Sequence, residues 1–393
     1  MSSQRRAMPG HRREGGRMAE LSAESELLLL LSRQQVTDTQ MARVRTIISQ
    51  DEPRLDWGHL AVQAARHRVA PLVGWHLWRL LTTERVAGID SPVVLLLYSA
   101  YRDTQRANEL MLAEVQAISD AAADQGITVL MRKGGHLAFA VYQEPGTRPM
   151  GDLDVLVTRE EAPTLVKALE GLGYVEGNPT RVDIVPLSKR ERAFWRLYGS
   201  DLPKMNKFGE FHRPIVSIDI NVSLALPGKG YDVPVGAVLA HAGRHRYGDA
   251  SFLVPSPEDA VIDLAAHIYK TSTTLRFMNR GKHRQLLKYV DIAEVVRRAG
   301  PDLSWDLLLE RVDEYAVAGP VFYGLAHLRM LFPDAVPADA LTALRQRCPE
   351  PERLLNEYGQ WDLPEPRAWQ QDFLTRFFDP DADRDLPASK SLV

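Results

Sequence analysis

ITVLMRKGGHLAFAVYQEPGTRPMGDLDVLVT, residues 127–158, reads as strand, glycine turn, helix, loop and strand. The apolar, partly β-branched run from Ile127 to Met131 has strand length and stops at Lys133-Gly134-Gly135, where two glycines permit backbone angles that side chains forbid. From His136 to Tyr142 the residues favour a helix, and Pro145-Gly146 ends it. The glycines are therefore expected just before a helix N-terminus, where unpaired N–H groups and a partial positive charge suit a phosphate. Lys133 adds a full charge beside it. Gly151-Asp152-Leu153-Asp154-Val155-Leu156-Val157 follows. In a strand alternate residues share a face, so Asp152 and Asp154 point one way while Leu153 and Val155 enter the core. Adjacent carboxylates repel without a cation, and hard oxygen ligands on one face are what Mg²⁺ or Mn²⁺ takes, together with phosphate oxygens of a substrate.

Phosphate-cradling glycines followed by a strand-borne Asp-x-Asp resemble the DNA polymerase β-like nucleotidyltransferase superfamily. In that pattern a third carboxylate comes from a later, neighbouring strand, and the candidate here is Asp219 within the alternating run from Ile215 to Leu224. More closely, Lys133-Gly134-Gly135, Tyr142, Pro145-Gly146, Arg148-Pro149-Met150 and Asp152-Leu153-Asp154 together resemble the "uncharacterised nucleotidyltransferase" family of bacterial proteins, over about residues 27–297. Family members often read Glu-x-His-Trp where this chain has Asp219-Ile220-Asn221-Val222. The resemblance implies a Mg²⁺- or Mn²⁺-dependent enzyme that moves a nucleoside monophosphate, AMP first among the candidates, from a nucleoside triphosphate to an acceptor hydroxyl. Asp152, Asp154 and Asp219 would be metal ligands and catalytic groups. Lys133, Gly134, Gly135 and Arg148 would meet the substrate, joined by His267, Lys270 and Arg284 from a helical region that in such enzymes often sets basic residues against the triphosphate. The acceptor stays open between small molecule, peptide, protein and tRNA.

At 393 residues the chain exceeds the usual single-domain size. Hydrophobic content of 45% and charged content of 25% are ordinary for a soluble globular protein, and a formal charge of −3 gives no global push towards nucleic acid. The lone cysteine, Cys348, excludes an internal disulfide framework and a cysteine-based zinc site, and fits a cytoplasmic setting. No apolar run reaches the roughly 18 to 20 residues that cross a bilayer, so no membrane partner is expected.

The expected class is α+β: a small mixed β-sheet nucleotidyltransferase core flanked by N-terminal and C-terminal helical subdomains. Residues 1–18, rich in arginine, glycine and serine, read as a disordered tail, 19–125 as a helical subdomain, and 126–226 as the catalytic core. Residues 227–377 read as a helical C-terminal domain and 378–393 as a disordered acidic tail. Asp56 is a cap for a helix beginning at Trp57, and Ser256-Pro257-Glu258-Asp259 is a strong helix start. Gly300-Pro301 and Gly319-Pro320 read as breaks between helices. The basic, aromatic run from Lys189 to Arg213 reads equally as a substrate loop or a solvated helix face, and Arg276 to Lys288 forms a second basic cluster. Two rivals use the same motif: a glycosyltransferase, which would want alternating parallel strands and helices before its Asp-x-Asp, and a nucleotide-binding module without catalysis.

Overall fold

The structure, a computed structural model, describes residues 21–50, 52, 54–198, 201–224, 231, 233–384 and 386–388, with backbone only for 194–198. The expected disordered tail at 1–18 and the last residues of the acidic tail lie outside the described residues.

Eight strands make one mixed sheet: β1 (Leu130–Arg132), β2 (Leu153–Leu156), β3 (Val175–Pro179), β4 (Ile184–Pro186), β5 (Met205–Phe208), β6 (Ile215–Asn221), β7 (Gly243–Tyr247) and β8 (Ala250–Val254). Their order is β4-β3-β5-β6-β2-β1-β8-β7, with β2/β6 and β1/β8 parallel and the other pairs antiparallel. The hairpin β7–β8 departs from the sequence reading, which turns helical after Pro234. Four of the five residues of β7, Gly-Arg-His-Arg-Tyr, are polar or glycine, so no apolar alternation announces this edge strand.

Before the sheet come helices Ala23–Leu30, Asp38–Ile48, Trp57–Arg66 and Ala70–Arg79, then the 34-residue helix Ser91–Asp124. Asp56 caps the third as expected, accepting from the His59 N–H at 2.8 Å. The fourth crosses the long helix at Gly74, where a Cβ would stand 2.3 Å from the Leu97 backbone; only glycine lets the two axes approach so closely. After the sheet come Pro257–Thr273, capped by Ser256, then Leu286–Ala299, Trp305–Glu314 and Ala318–Leu331. Gly319 and Pro320 lie in the first turn of the last of these rather than between helices, where proline's missing N–H has no intrahelical partner to lose.

Two apolar cores result. Met111, Val115 and Ile118 of the long helix pack on the sheet residues Leu153, Val155, Ile218, Ile220 and Phe252. The other core joins Leu28, Leu60 and Leu97 to Val261, Tyr289, Leu325 and Phe377, so the helices that precede the sheet share one interior with those that follow it. The chain's end belongs to this interior too. Phe373–Phe378 is a helix, His67 stacks on Phe377, and Asp383 pairs with Arg284 at 2.5 Å. Asp383 and the Asp379 backbone are thus tethered to Arg284, because two buried phenylalanines anchor this segment beside it, while Asp381 stays exposed.

Candidate active site

Parallel pairing of β2 with β6 sets Asp154 beside Asp219, and antiparallel pairing of β1 with β2 sets Arg132 beside Asp154. Side chains paired across strands share a face, so these three form a row on one face of the central strands β6, β2 and β1. Leu153, Val155, Ile218 and Ile220, fully buried on the opposite face, hold that register because a one-residue slip would exchange the apolar residues for the carboxylates. Asp152 precedes β2, in a turn fixed by Arg213, which donates to the Met150 carbonyl at 3.0 Å and to the Gly151 carbonyl.

Two lysines compensate the acids. Lys204 Nζ lies 2.7 Å from Asp152 and 2.9 Å from Asp219, while Lys133 Nζ lies 2.6 Å from Asp154. Burial, followed by the neighbouring Asp152 charge, pushes the Asp219 carboxyl up to about 6 despite Lys204. Burial opposes ionisation of Asp152 as well, but there the Lys204 ammonium prevails and holds the carboxyl below its usual range. Burial and nearby cations, Lys133 first among them, keep His267 neutral.

The glycine turn lies one step from its expected place. Lys133 itself takes a left-handed φ of +37° and begins the helix, Lys133–His136, which widens into a π-turn over Leu137–Val141. Gly134 and Gly135 therefore occupy the first turn, where N–H groups have no partner inside the helix. A Cβ on Gly134 would come within 2.9 Å of Met150 and 3.1 Å of the Arg148 guanidinium, so the loop before β2 closes over this turn only because a glycine is there.

Two recesses flank the carboxylates. The smaller, about 190 Å³, is lined by Gly134, Arg148, Arg68, Lys288 and Asp291; the larger, about 910 Å³, by Arg190, Asp201, Lys270, Thr271, Arg276 and Phe277. Lys133, Asp152, Asp154, Asp219, His267 and Lys282 line both. Arg148 makes a buried, two-pronged pair with Asp291, at 2.8 and 3.2 Å, instead of with the strand aspartates. Two expected substrate contacts line neither recess: Gly135, which sits against Leu153 and Met131, and Arg284, which is turned to Asp383 and the Asp379 carbonyl.

Sequence reasoning reached Lys204, Lys282 and Lys288 only as members of the two basic stretches, without singling them out, and left Arg68 and Asp291 out of the site. Asp291 lies in the 289–292 segment that already resembles the family, and Lys204 in the basic run before β6, but nothing local aims either at the aspartates. Lys288 Nζ donates to Thr271 Oγ1 at 2.7 Å and to the Lys282 carbonyl at 2.6 Å, and burial with surrounding cations depresses its basicity strongly. Arg68 enters from the first helical region on a left-handed φ of +61°.

Among the described residues no three His, Cys, Asp or Glu side chains close on a common point as a metal cage, and no helix is long and apolar enough to cross a membrane. The lysine ammonium groups stand between the carboxylates instead. No curated protein matches the chain. A crystal structure of an antigenic nucleotidyltransferase-like protein from Paracoccidioides brasiliensis is similar at 14% identity and a TM-score of 0.37, covering 60% of this chain and 94% of that one. A family model described as uncharacterised nucleotidyltransferase matches residues 53–333, which take in the glycine turn, all three aspartates and both recesses, and the chain belongs to that family.

Proposed function

We propose that the protein transfers a nucleoside monophosphate, AMP in the first instance, from a nucleoside triphosphate to an acceptor hydroxyl, with Mg²⁺ or Mn²⁺ held by Asp152, Asp154 and Asp219. The observation that carries this is the register of β2 on β6, which brings the second aspartate of an Asp-x-Asp beside a third carboxylate directly after a glycine-opened helix.

The donor set fits a hard divalent cation: three carboxylates gathered at the central strands β2 and β6, with an ammonium group bridging two of them where a cation is called for. When bound, the metal would neutralise phosphate charge and polarise the transferring phosphorus. The Gly134 and Gly135 N–H groups bind phosphate oxygens, and Lys133, released from Asp154, adds its charge to them. Asp219, once Lys204 is displaced from it, receives the proton of the acceptor hydroxyl as that oxygen bonds to the α-phosphorus and the bond from the α-phosphorus to the departing pyrophosphate breaks. Neutral His267 donates or accepts a hydrogen bond at the boundary of the two recesses without adding charge. A glycosyltransferase reading finds little support, because the sheet has two parallel pairs and a long helical region precedes it.

The test is a calorimetric titration of each nucleoside triphosphate with Mg²⁺ on the wild type and on Asp152→Asn/Asp154→Asn. Metal-dependent binding of one nucleotide should weaken at least about 100-fold in the variant, a loss at the upper end of that caused by removing mere supporting groups. Equal binding by the two proteins would end the proposal.

A further inference from the structure

The larger recess holds a cluster that the transfer reaction as described leaves unused. Lys270 Nζ, Arg276 Cζ and Lys282 Nζ lie 5.7, 4.9 and 5.8 Å from the centre of one ring, Phe277. Cations gather over an aromatic face because its quadrupole attracts them, yet a ring cannot cancel three charges that also repel one another. Among the described residues none of the three makes an ion pair. Burial, with the surrounding cations, lowers the basicity of Lys270 and Lys282. Asp201 and Asp152 are the nearest acids to act on Lys270 and Lys282 across the same recess, yet neither pairs with them, so three cations stay gathered on one ring without a direct partner among the described residues. The position of this pocket is informative: it opens from the carboxylates on the side away from Gly134, and Thr271 and Arg190 line the same space.

We propose that this cluster is the acceptor's docking point, and that the acceptor is a small molecule carrying a phosphate or carboxylate group as well as the hydroxyl that is modified. The proposal rests on the transfer reading for the meaning of "acceptor", while the anion site stands on its own geometry. The volume of about 910 Å³ is within the range of small-molecule sites, whereas about 190 Å³ on the glycine side is below it and suits the polyphosphate end of the donor. A polyanionic macromolecule fits poorly with a chain of formal charge −3. Lys282, shared by both recesses, touches the boundary between donor and acceptor.

The probes are inorganic phosphate and acetate, each titrated into the free protein and into protein saturated with Mg²⁺ and a non-hydrolysable nucleoside triphosphate analogue. Phosphate or acetate should bind the loaded protein as a second ligand, and whichever binds tells the two anion classes apart. Arg276→Met, at an exposed position that the fold does not need, and Lys270→Met should each weaken that binding about tenfold, the loss expected for one charge-assisted contact, and in Arg276→Met analogue affinity stays within about twofold. Competition between probe and analogue, or variants that weaken the analogue instead, would assign the cations to the donor and overturn the proposal with nucleotidyl transfer intact. Binding of neither probe to any form overturns it outright. If the analogue fails to bind but a probe binds and is lost in both variants, the anion site stands and the transfer reading falls.

Discussion

The carboxylate edge and the cationic wall that faces it are built in opposite ways. The edge is assembled from two strands of one sheet and the turn before one of them, and its three acids are compensated at 2.6 to 2.9 Å by two lysines, Lys133 on Asp154 and Lys204 shared by Asp152 and Asp219. The wall draws Arg68, Arg148, Lys270, Arg276, Lys282 and Lys288 from distant segments, and of these Arg148 alone has an ion-pair partner among the described residues. A sheet fixes charge by register, whereas a helical wall fixes it by packing. An edge of the first kind tolerates change in its surroundings, and a wall of the second kind depends on the few acids that it has.

The sharpest way to break this contrast is Asp291→Ala. Asp291 accepts from Arg148 and, at 3.0 Å, from the Tyr142 hydroxyl, with its side chain 4% exposed. Its removal strands a buried guanidinium, and unfolding in urea should show a loss of about 3–5 kcal/mol. A loss below about 1 kcal/mol would mean that the wall is an ordinary solvated face. Acid should act next. His76, whose imidazole donates to the Arg33 carbonyl at 2.7 Å, is pushed by burial from 6.5 down to about 4, and burial pushes His67 and His267 in the same direction. The folded value is below the unfolded one, so the unfolded chain takes the proton first. The contribution of His76 is whole above pH 6.5 and drains away as the pH falls towards about 4. Between those limits His76→Gln should flatten the fall of stability by up to about one proton, or about 1.4 kcal/mol per pH unit. An unchanged slope would remove the neutral buried imidazole from the account. The smallest effect belongs to the edge. Lys204→Met should lower stability at neutral pH by about 1 kcal/mol, since this lysine is 48% exposed and partly screened, and Mg²⁺ should restore it. A variant that Mg²⁺ fails to stabilise more than it does the wild type would show that Lys204 is not standing where a cation belongs.

The same contrast explains what could be read from the chain. Strand alternation places Asp154 and Asp219 from local pattern, whereas Asp152 stands in the turn before β2 rather than on the strand, and the caps at Asp56 and Ser256 follow from single residues and their neighbours. The mixed sheet between helical regions follows from the same periodicities. Arg284 defeats such reading, because its partner Asp383 lies 99 positions away and only packing of Phe377 and Phe378 brings that acid near. The strand β7 defeats it too, having charge where a pattern would need apolar residues. The helix start at Lys133 differs from the reading because a left-handed angle at a lysine, where glycine would be the expected residue, has no local signal in the sequence.

The helix Ser91–Asp124, about 50 Å long at 1.5 Å per residue, belongs to both cores. A beam fixed at both ends makes the molecule indivisible: the strand-bearing middle is no cassette that could be cut out or grafted elsewhere, since severing it would lay open Val94 and Leu97 at one end or Val115 and Ile118 at the other.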